Sequence, residues 1–322
     1  MIQEIYNTLV KKYSIVEQHK GPILPTGSLI LNRMLVIGGY PTGRIIEIYG
    51  PEGVGKTTMG LHAMVEAQKL KMPLALLDME CCFDERYAKT IGIRGKKNVD
   101  YLHLMPTYGE EAIDMLADVL DKGMKLVVVD SVASMVPKAE YEGETGEAFM
   151  GLQARMMGQG LRKLTGRISR AGAVVIFINQ VRTKIGVFFG SPEVTTGGRA
   201  LGFYASIRLQ LRSGEAMPDK VNPIGRYVRI KVVKNKVGPP LKECQVPLIF
   251  GRGIDRAGEI FSELWAVGKI TRRSSFYYGP DGEKIGAGVV NSMTTMRESI
   301  KVWERIYHEH AKDTSTAVDS KV

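Results

Sequence analysis

The chain of 322 residues is short of cysteine, of long apolar runs and of acidic residues, and each shortage removes a class of protein. Its three cysteines are the adjacent Cys81 and Cys82 and the distant Cys244. So few thiols cannot build a disulfide framework, and their spacing fits no tetrahedral zinc site. Reduced thiols in a cytosolic compartment are the expectation. No stretch approaches the roughly 18 apolar residues of a membrane span. The opening residues MIQEIYNTLVKKYS lack the basic flank and apolar stretch of a secretory signal, so a soluble intracellular protein is expected. Only 7% of residues are aromatic, but 44% are hydrophobic and 24% charged, the balance of a folded globular chain. The 34 Asp and Glu are outnumbered by 44 Lys and Arg, leaving a formal net charge of +10. That excess points to a polyanion, either nucleic acid or an anionic membrane surface, unless it is a diffuse solvated surplus.

What is present is an alternating pattern. Residues 3–13 carry Ile5, Leu9 and Val10 at helical spacing, and Gly21, Pro22 and Pro25 then end the pattern. From Arg44 to about Gly253, short apolar runs at 45–49, 74–77, 126–129 and 174–178 alternate with helical patterns such as Leu61, Met64, Val65 and Leu70. Strands alternating with helices predict an α/β fold, a mostly parallel twisted sheet flanked by helices on both faces. Residues 206–211 and 227–233 alternate polar with apolar, as half-exposed strands at the far side of that sheet would. Beyond Gly253 the chain becomes glycine-rich, then places Met296, Ile300, Trp303 and Tyr307 on one stripe of a final helix. The expected division is an N-terminal arm over 1–20, a core over 21–255, a small C-terminal α/β domain over 256–310 and a polar, disordered tail over 311–322.

The most specific local signal is Gly50-Pro51-Glu52-Gly53-Val54-Gly55-Lys56-Thr57, a phosphate-binding loop between a predicted strand and a predicted helix. Its glycines let backbone amides turn in on a triphosphate, and the following helix N-terminus adds partial positive charge. Lys56 is expected on the β- and γ-phosphates and the Thr57 hydroxyl on Mg²⁺, with Thr58 next along the helix. Asp130 ends the 126–129 strand, where a second magnesium-site carboxylate belongs. Glu80 follows the 74–77 strand and is either the base that activates the attacking water or a surface glutamate. Gln180 follows the 174–178 strand and is either a γ-phosphate sensor or a turn amide.

Longer strings then resemble one family, the RecA-type homologous recombinases in their bacterial or phage form. They are EIYGPEGVGKTT (47–58), VVVDSVASMVPKAEYEGE (127–144), MGLQARMM (150–157), IFINQVRTKIGVFFGSPEVTTGGRAL (176–201), FYAS (203–206) and RIKVVKNK (229–236), in family order. The resemblance implies a filament-forming ATPase core whose N-terminal helix docks on the adjacent subunit. It implies that Lys56 and Thr57 hold Mg·ATP, Glu80 is the catalytic base, Asp130 serves the magnesium site, and Gln180 couples the γ-phosphate to DNA. Asp84 and Tyr87 match positions that contact adenine. Lys234 and Lys236 match lysines that reach the neighbouring subunit's ATP, and Phe203 matches an interface aromatic.

Two segments read as DNA loops, about 142–151 and 181–199. The first ends near Met150 and Gly151, with Arg155 and Arg162 on the following helix. The second combines Arg182, Lys184 and Arg199 with Ile185, Phe188 and Phe189 among glycines that include Gly197 and Gly198. Apolar side chains on such a loop wedge or stack between bases while cations and amides hold phosphates, unless the phenylalanines pack on the protein itself. Several positions depart from the family pattern: Cys81-Cys82 replaces histidine-alanine, Arg199 an asparagine and Phe250 a tyrosine, and the acidic tail of many bacterial members is missing.

The leading expectation is a DNA-dependent ATPase that forms helical filaments on single-stranded DNA and exchanges strands with a homologous duplex. The alternatives are a ring-forming helicase or translocase on the same core, and a regulatory or coprotease module acting on a LexA-type repressor; single-strand-binding or loader proteins are further candidate partners. Residues 181–240 hold 11 Lys and Arg against 3 Asp and Glu, which places most of the +10 excess beside the second loop.

Overall fold

The computed structural model describes residues 21–144, 149, 151–183, 193–217 and 223–318. The expected N-terminal arm, Met150, and the loop residues Lys184, Ile185, Phe188 and Phe189 lie outside the described residues.

The four apolar runs form parallel strands β1 (Arg44–Gly50), β2 (Leu74–Asp78), β4 (Leu126–Asp130) and β5 (Val174–Thr183), with β3 (Leu102–Leu104) beside β2. They read as unbroken hydrophobic stretches because both faces are covered. Ile46, Ile48, Leu76, Val128 and Ile176 enter one core with Met59, Ala63 and Met64 of α2 (Lys56–Lys69). Ile45, Leu77, Val129 and Phe177 enter a second core with Leu116 of α4 (Gly109–Asp121) and Leu161 and Leu164 of α6 (Leu152–Ala171). Each such side chain contributes about 1.5–3 kcal/mol on burial, so the alternation pins the strand register.

Between these run the short helices α1 (Leu29–Met34), α3 (Glu85–Ile91) and α5 (Lys138–Glu142). After β5 come β6 (Glu193–Thr195) and α7 (Ala200–Tyr204). Strands β7 (Ile207–Met217), β8 (Gly225–Asn235), β9 (Glu243–Ile249) and β10 (Gly253–Ile254) then extend the sheet, giving the order β10-β9-β8-β7-β1-β5-β4-β2-β3. Strand β7 runs parallel to β1, and the remaining pairs of this wing are antiparallel. Strands β7 and β8 set buried positions against half-buried ones along much of their length, close to what their sequence predicts. Strand β5 continues past residue 178 because β6 folds back against Val181–Thr183.

The remainder comprises α8 (Arg256–Ala266), a sheet of β11 (Thr271–Arg273), β12 (Phe276–Tyr278) and β13 (Lys284–Ala287), then α9 (Gly288–Glu298) and α10 (Ile300–Val318). Ile260, Phe261, Leu264, Tyr277, Met296 and Trp303 form its own apolar cluster. Two sequence expectations change here. The predicted final helix divides at Ser299, after a run in which the Ser292, Thr294, Thr295 and Ser299 hydroxyls each donate to the carbonyl four residues back, a pattern that bends helices. Instead of ending in disorder at 311, the chain stays helical to Val318, since each added residue extends a helix already nucleated.

Candidate nucleotide and DNA site

Register alone assembles the site at the carboxyl ends of the parallel strands. Gly50 pairs with Gln180 across β1 and β5, and Asp78 pairs with Asp130 across β2 and β4. Open α/β sheets bind ligands at this edge. The loop from Gly50 turns into α2 through Gly53 and Gly55, at φ of 67° and 96°, a backbone conformation that side chains disfavour. Gly55 is the N-cap of α2, so the first amides of that helix face the loop.

Lys56 is 8% exposed and its ammonium donates to the Pro51 carbonyl at 2.6 Å. Burial lowers its pKa, against the opposing pull of Asp130, Glu80 and Glu52. The Thr57 hydroxyl donates to Asp130 Oδ2 at 2.6 Å. Burial pushes Asp130 up to about 6, with Glu80 and Asp78 adding to the push and Thr57 and Lys56 opposing it. Two oxygen ligands side by side fit a small hard cation, which takes few protein ligands and completes its shell with water and phosphate.

Glu80 stands at the next strand end. Its Oε1 accepts from the Ser131 hydroxyl and, at 3.2 Å, from the Gln180 amide. These residues border a cavity of about 340 Å³ lined by the phosphate loop on one side and by Arg226, Val228, Leu248, Phe250 and Gly251 on the other. Tyr87 also lines it, and its phenol shares a 2.9 Å hydrogen bond with the Thr58 hydroxyl. Asp84 caps α3 by accepting from the Arg86 and Tyr87 amides and lies in an adjoining crevice. The cavity thus runs from the phosphate-loop backbone to the Tyr87 ring.

The family model described as the RecA N-terminal domain matches residues 7–255. The chain belongs to the RecA family. Protein RecA of Syntrophus aciditrophicus is 47% identical over 293 residues, covering 89% of this chain and 84% of that relative. Protein RecA of Thermotoga neapolitana is 47% identical over 289 residues, covering 88% and 82%. Among solved structures, the crystal structure of the RadB recombinase matches the fold with a TM-score of 0.53 at 22% identity, covering 72% of this chain and 98% of that one. Members of the RecA family are DNA-dependent ATPases and recombinases, and this chain is an enzyme of that kind.

Hydrogen bonds beside this site tie the second segment read from the sequence as a candidate DNA loop to β5 and to the helix that follows the first. Asn179, fully buried, donates to Glu47 Oε1 at 3.0 Å and to the Thr196 carbonyl at 3.1 Å. The Gly197 amide donates to Gln153 on α6, and Gln153 donates to the Val132 and Met135 carbonyls. Gly197 and Gly198 have positive φ, and a side-chain carbon on Gly198 would come within 2.6 Å of Ala154 Cβ. The exit of the second loop is therefore packed against the helix that follows the first. Arg155, Arg162, Arg182 and Arg199 are exposed around it, and Gly151 caps α6 with φ of 80°.

Lys234 and Lys236 do not line the cavity of their own chain. The Lys234 ammonium donates to the Gly202 and Phe203 carbonyls at 2.7 and 2.9 Å, and Phe203 is 72% exposed beside it. Burial lowers the Lys234 pKa, with Lys236 and Arg208 adding to the effect. Lys236 is exposed.

Ser131 and Arg226 are polar cavity residues that the sequence reading does not single out. Ser131 has no motif of its own and is found only through its contact with Glu80. Arg226 lies over the Phe250 ring at 5.3 Å from strand β8, and alternation alone marks it as an ordinary exposed charge. Cys81 and Cys82, which replace histidine-alanine of the family pattern, are both exposed. Desolvation and the nearby carboxylates of Glu80, Asp78 and Asp130 raise the Cys82 thiol pKa, favouring its protonated form.

Proposed function

We propose that the chain polymerises as a helical filament on single-stranded DNA, uses ATP with Mg²⁺, and pairs the strand with homologous duplex DNA. The observation that carries the reading is the Glu80 carboxylate, held between Ser131 and Gln180 at the mouth of a complete phosphate-loop cavity. Lys56 and the loop amides bind the phosphates, and Thr57 and Asp130 would hold Mg²⁺, which neutralises charge on the transferred phosphoryl group. Glu80 orients the attacking water and takes its proton. Gln180 lies on β5 two residues before Arg182 on the same strand, so a shift of its amide from Glu80 toward the γ-phosphate moves the strand leading to DNA.

Phe203, Lys234 and Lys236 share one exposed face, and we assign them to the next subunit's nucleotide, which ties hydrolysis to assembly. Residues 21–255 serve as the ATPase core and 256–310 as a small accessory domain, working at DNA in the cytoplasm. No helix among the described residues is long and apolar enough to cross a membrane.

The test combines purified protein, ATP, Mg²⁺, circular single-stranded DNA and a homologous linear duplex. Joint molecules resolved on a gel are the expected result. Filaments visible by electron microscopy without joint molecules would overturn the reading.

A further inference from the structure

Glu80 sits on a turn that has no side-chain packing of its own to fix it, because Glu80, Cys81 and Cys82 are all exposed. The turn is instead folded round one buried carboxylate. Asp78, 4% exposed, accepts from the Glu80 and Cys82 amides at Oδ1, both at 3.3 Å, and from the Phe83 amide at Oδ2, at 3.1 Å. His103 on β3, 7% exposed, brings Nε2 to the same Oδ2 at 3.2 Å. Its amide donates to Asn98 Oδ1 at 2.9 Å and its ring lies tilted on Phe83 at 4.8 Å. Among the described residues His103 Nδ1 is buried without a partner, so the proton belongs on Nε2, where it bridges to Asp78.

We propose that Asp78 and His103 are a positioning pair for the hydrolytic reaction, fixing the backbone of the Glu80 turn so that the carboxylate meets the attacking water. The inference rests on the reading of Glu80 as the base. Ser131 and Gln180 grip the Glu80 carboxylate but not its backbone. Gln180 is also the group expected to move when nucleotide binds, so a second, stationary anchor is required. Asp78 is suited to that work because three amides and an imidazole converge on it, and His103 holds it at an angle the amides alone leave free. Tyr87, farther along, is secured separately through Thr58 and the Asp84 cap, so base binding does not depend on the pair.

The experiment measures ATP hydrolysis by the full chain at saturating single-stranded DNA. His103→Leu, which keeps the bulk and removes the donor, should lower kcat about tenfold or more with KM for ATP within about twofold, since misplacement by an ångström costs up to about 10² in rate. His103→Gln, which restores an N–H toward Asp78, should recover most of the loss. In a Glu80→Gln background His103→Leu should change the residual rate no further. Wild-type kcat in His103→Leu would overturn the proposal, as would an equal fall in both backgrounds. Normal hydrolysis by Glu80→Gln alone would overturn the reading of Glu80 itself, a result distinct from either. Where the leucine variant fails to fold, amide exchange at residues 80–83 in His103→Asn decides: faster exchange there supports the pair, and unchanged exchange overturns it.

Discussion

Burial pushes two carboxylates up by similar amounts, Asp130 to about 6 and Glu259 to about 7, and they serve opposite ends. Asp130 faces a cavity of about 340 Å³. Glu259, 0% exposed, is closed in by protein: it accepts from the Ser28 hydroxyl and from the Leu29 and Ile30 amides at 3.1 and 3.4 Å, with Arg256 at 3.5 Å. In this way α8 caps α1 and fastens the C-terminal elements to the core. A displaced pKa therefore marks a group that is desolvated; only space on the group's open side marks it as a site.

The sharpest way to separate the two is to remove charge at each. Lys56→Ala should abolish ATP binding, and with it filament assembly and strand exchange, while leaving the melting temperature of the isolated protein near wild type, because the lysine is itself desolvated. Fluorescent-nucleotide titration and calorimetry read the two quantities. A variant that still binds ATP would mean that the loop amides suffice. Glu80→Gln comes next. Hydrolysis should fall by about 10²- to 10⁴-fold, the range of general-base contributions, with ATP and DNA binding retained. Undiminished turnover would remove Glu80 from its role.

Glu259 predicts a stability effect and no catalytic one. Its folded pKa, about 7, lies above the ordinary value of 4.5, so the fold favours the protonated form. The stability this group contributes is complete below about pH 4.5 and is lost as pH rises through 7, amounting to about 3 kcal/mol. Glu259→Gln, which mimics the protonated acid, should flatten that part of the denaturation profile between pH 5 and 8 and leave kcat unchanged. A variant whose profile keeps the wild-type slope would show that Glu259 is ionised in the fold.

The same distinction explains what was legible in the sequence. The phosphate loop, Asp130, Glu80 and Gln180 could be read because each follows an apolar run whose register fixes where the strand ends. The parallel core was legible for the same reason. The Glu259 cluster was not, since its partners are more than 200 residues apart and a glutamate on a helix carries no mark of burial. Arg226 was missed because it works from the far wall of a cavity that exists only once the antiparallel wing is folded, and Ser131 because its contact with Glu80 joins residues 51 positions apart. The charge excess was read in the right region but too uniformly. Within residues 181–240, Arg208 closes on fully buried Glu47 at 2.5 Å, Arg212 forks onto Glu193, Lys231 meets Glu243 at 2.8 Å and Lys234 is held by carbonyls. Much of that positive charge is committed inside the wing.

The smallest expected effect tests this division among the cations. Arg155 is exposed at the start of α6, beside the packed exit of the second loop. Lys231 is paired across β8 and β9. A phosphate contact on single-stranded DNA adds about 0.7 to the slope of log K against log salt, so Arg155→Ala should lower that slope by about that amount in filaments formed with a slowly hydrolysed ATP analogue. Lys231→Ala should leave the slope where it was, because its ammonium is already neutralised by Glu243 and releases no counterion on binding. Equal changes in the two variants would mean that the excess acts as a diffuse field and that pairing within the wing does not decide which cations meet DNA.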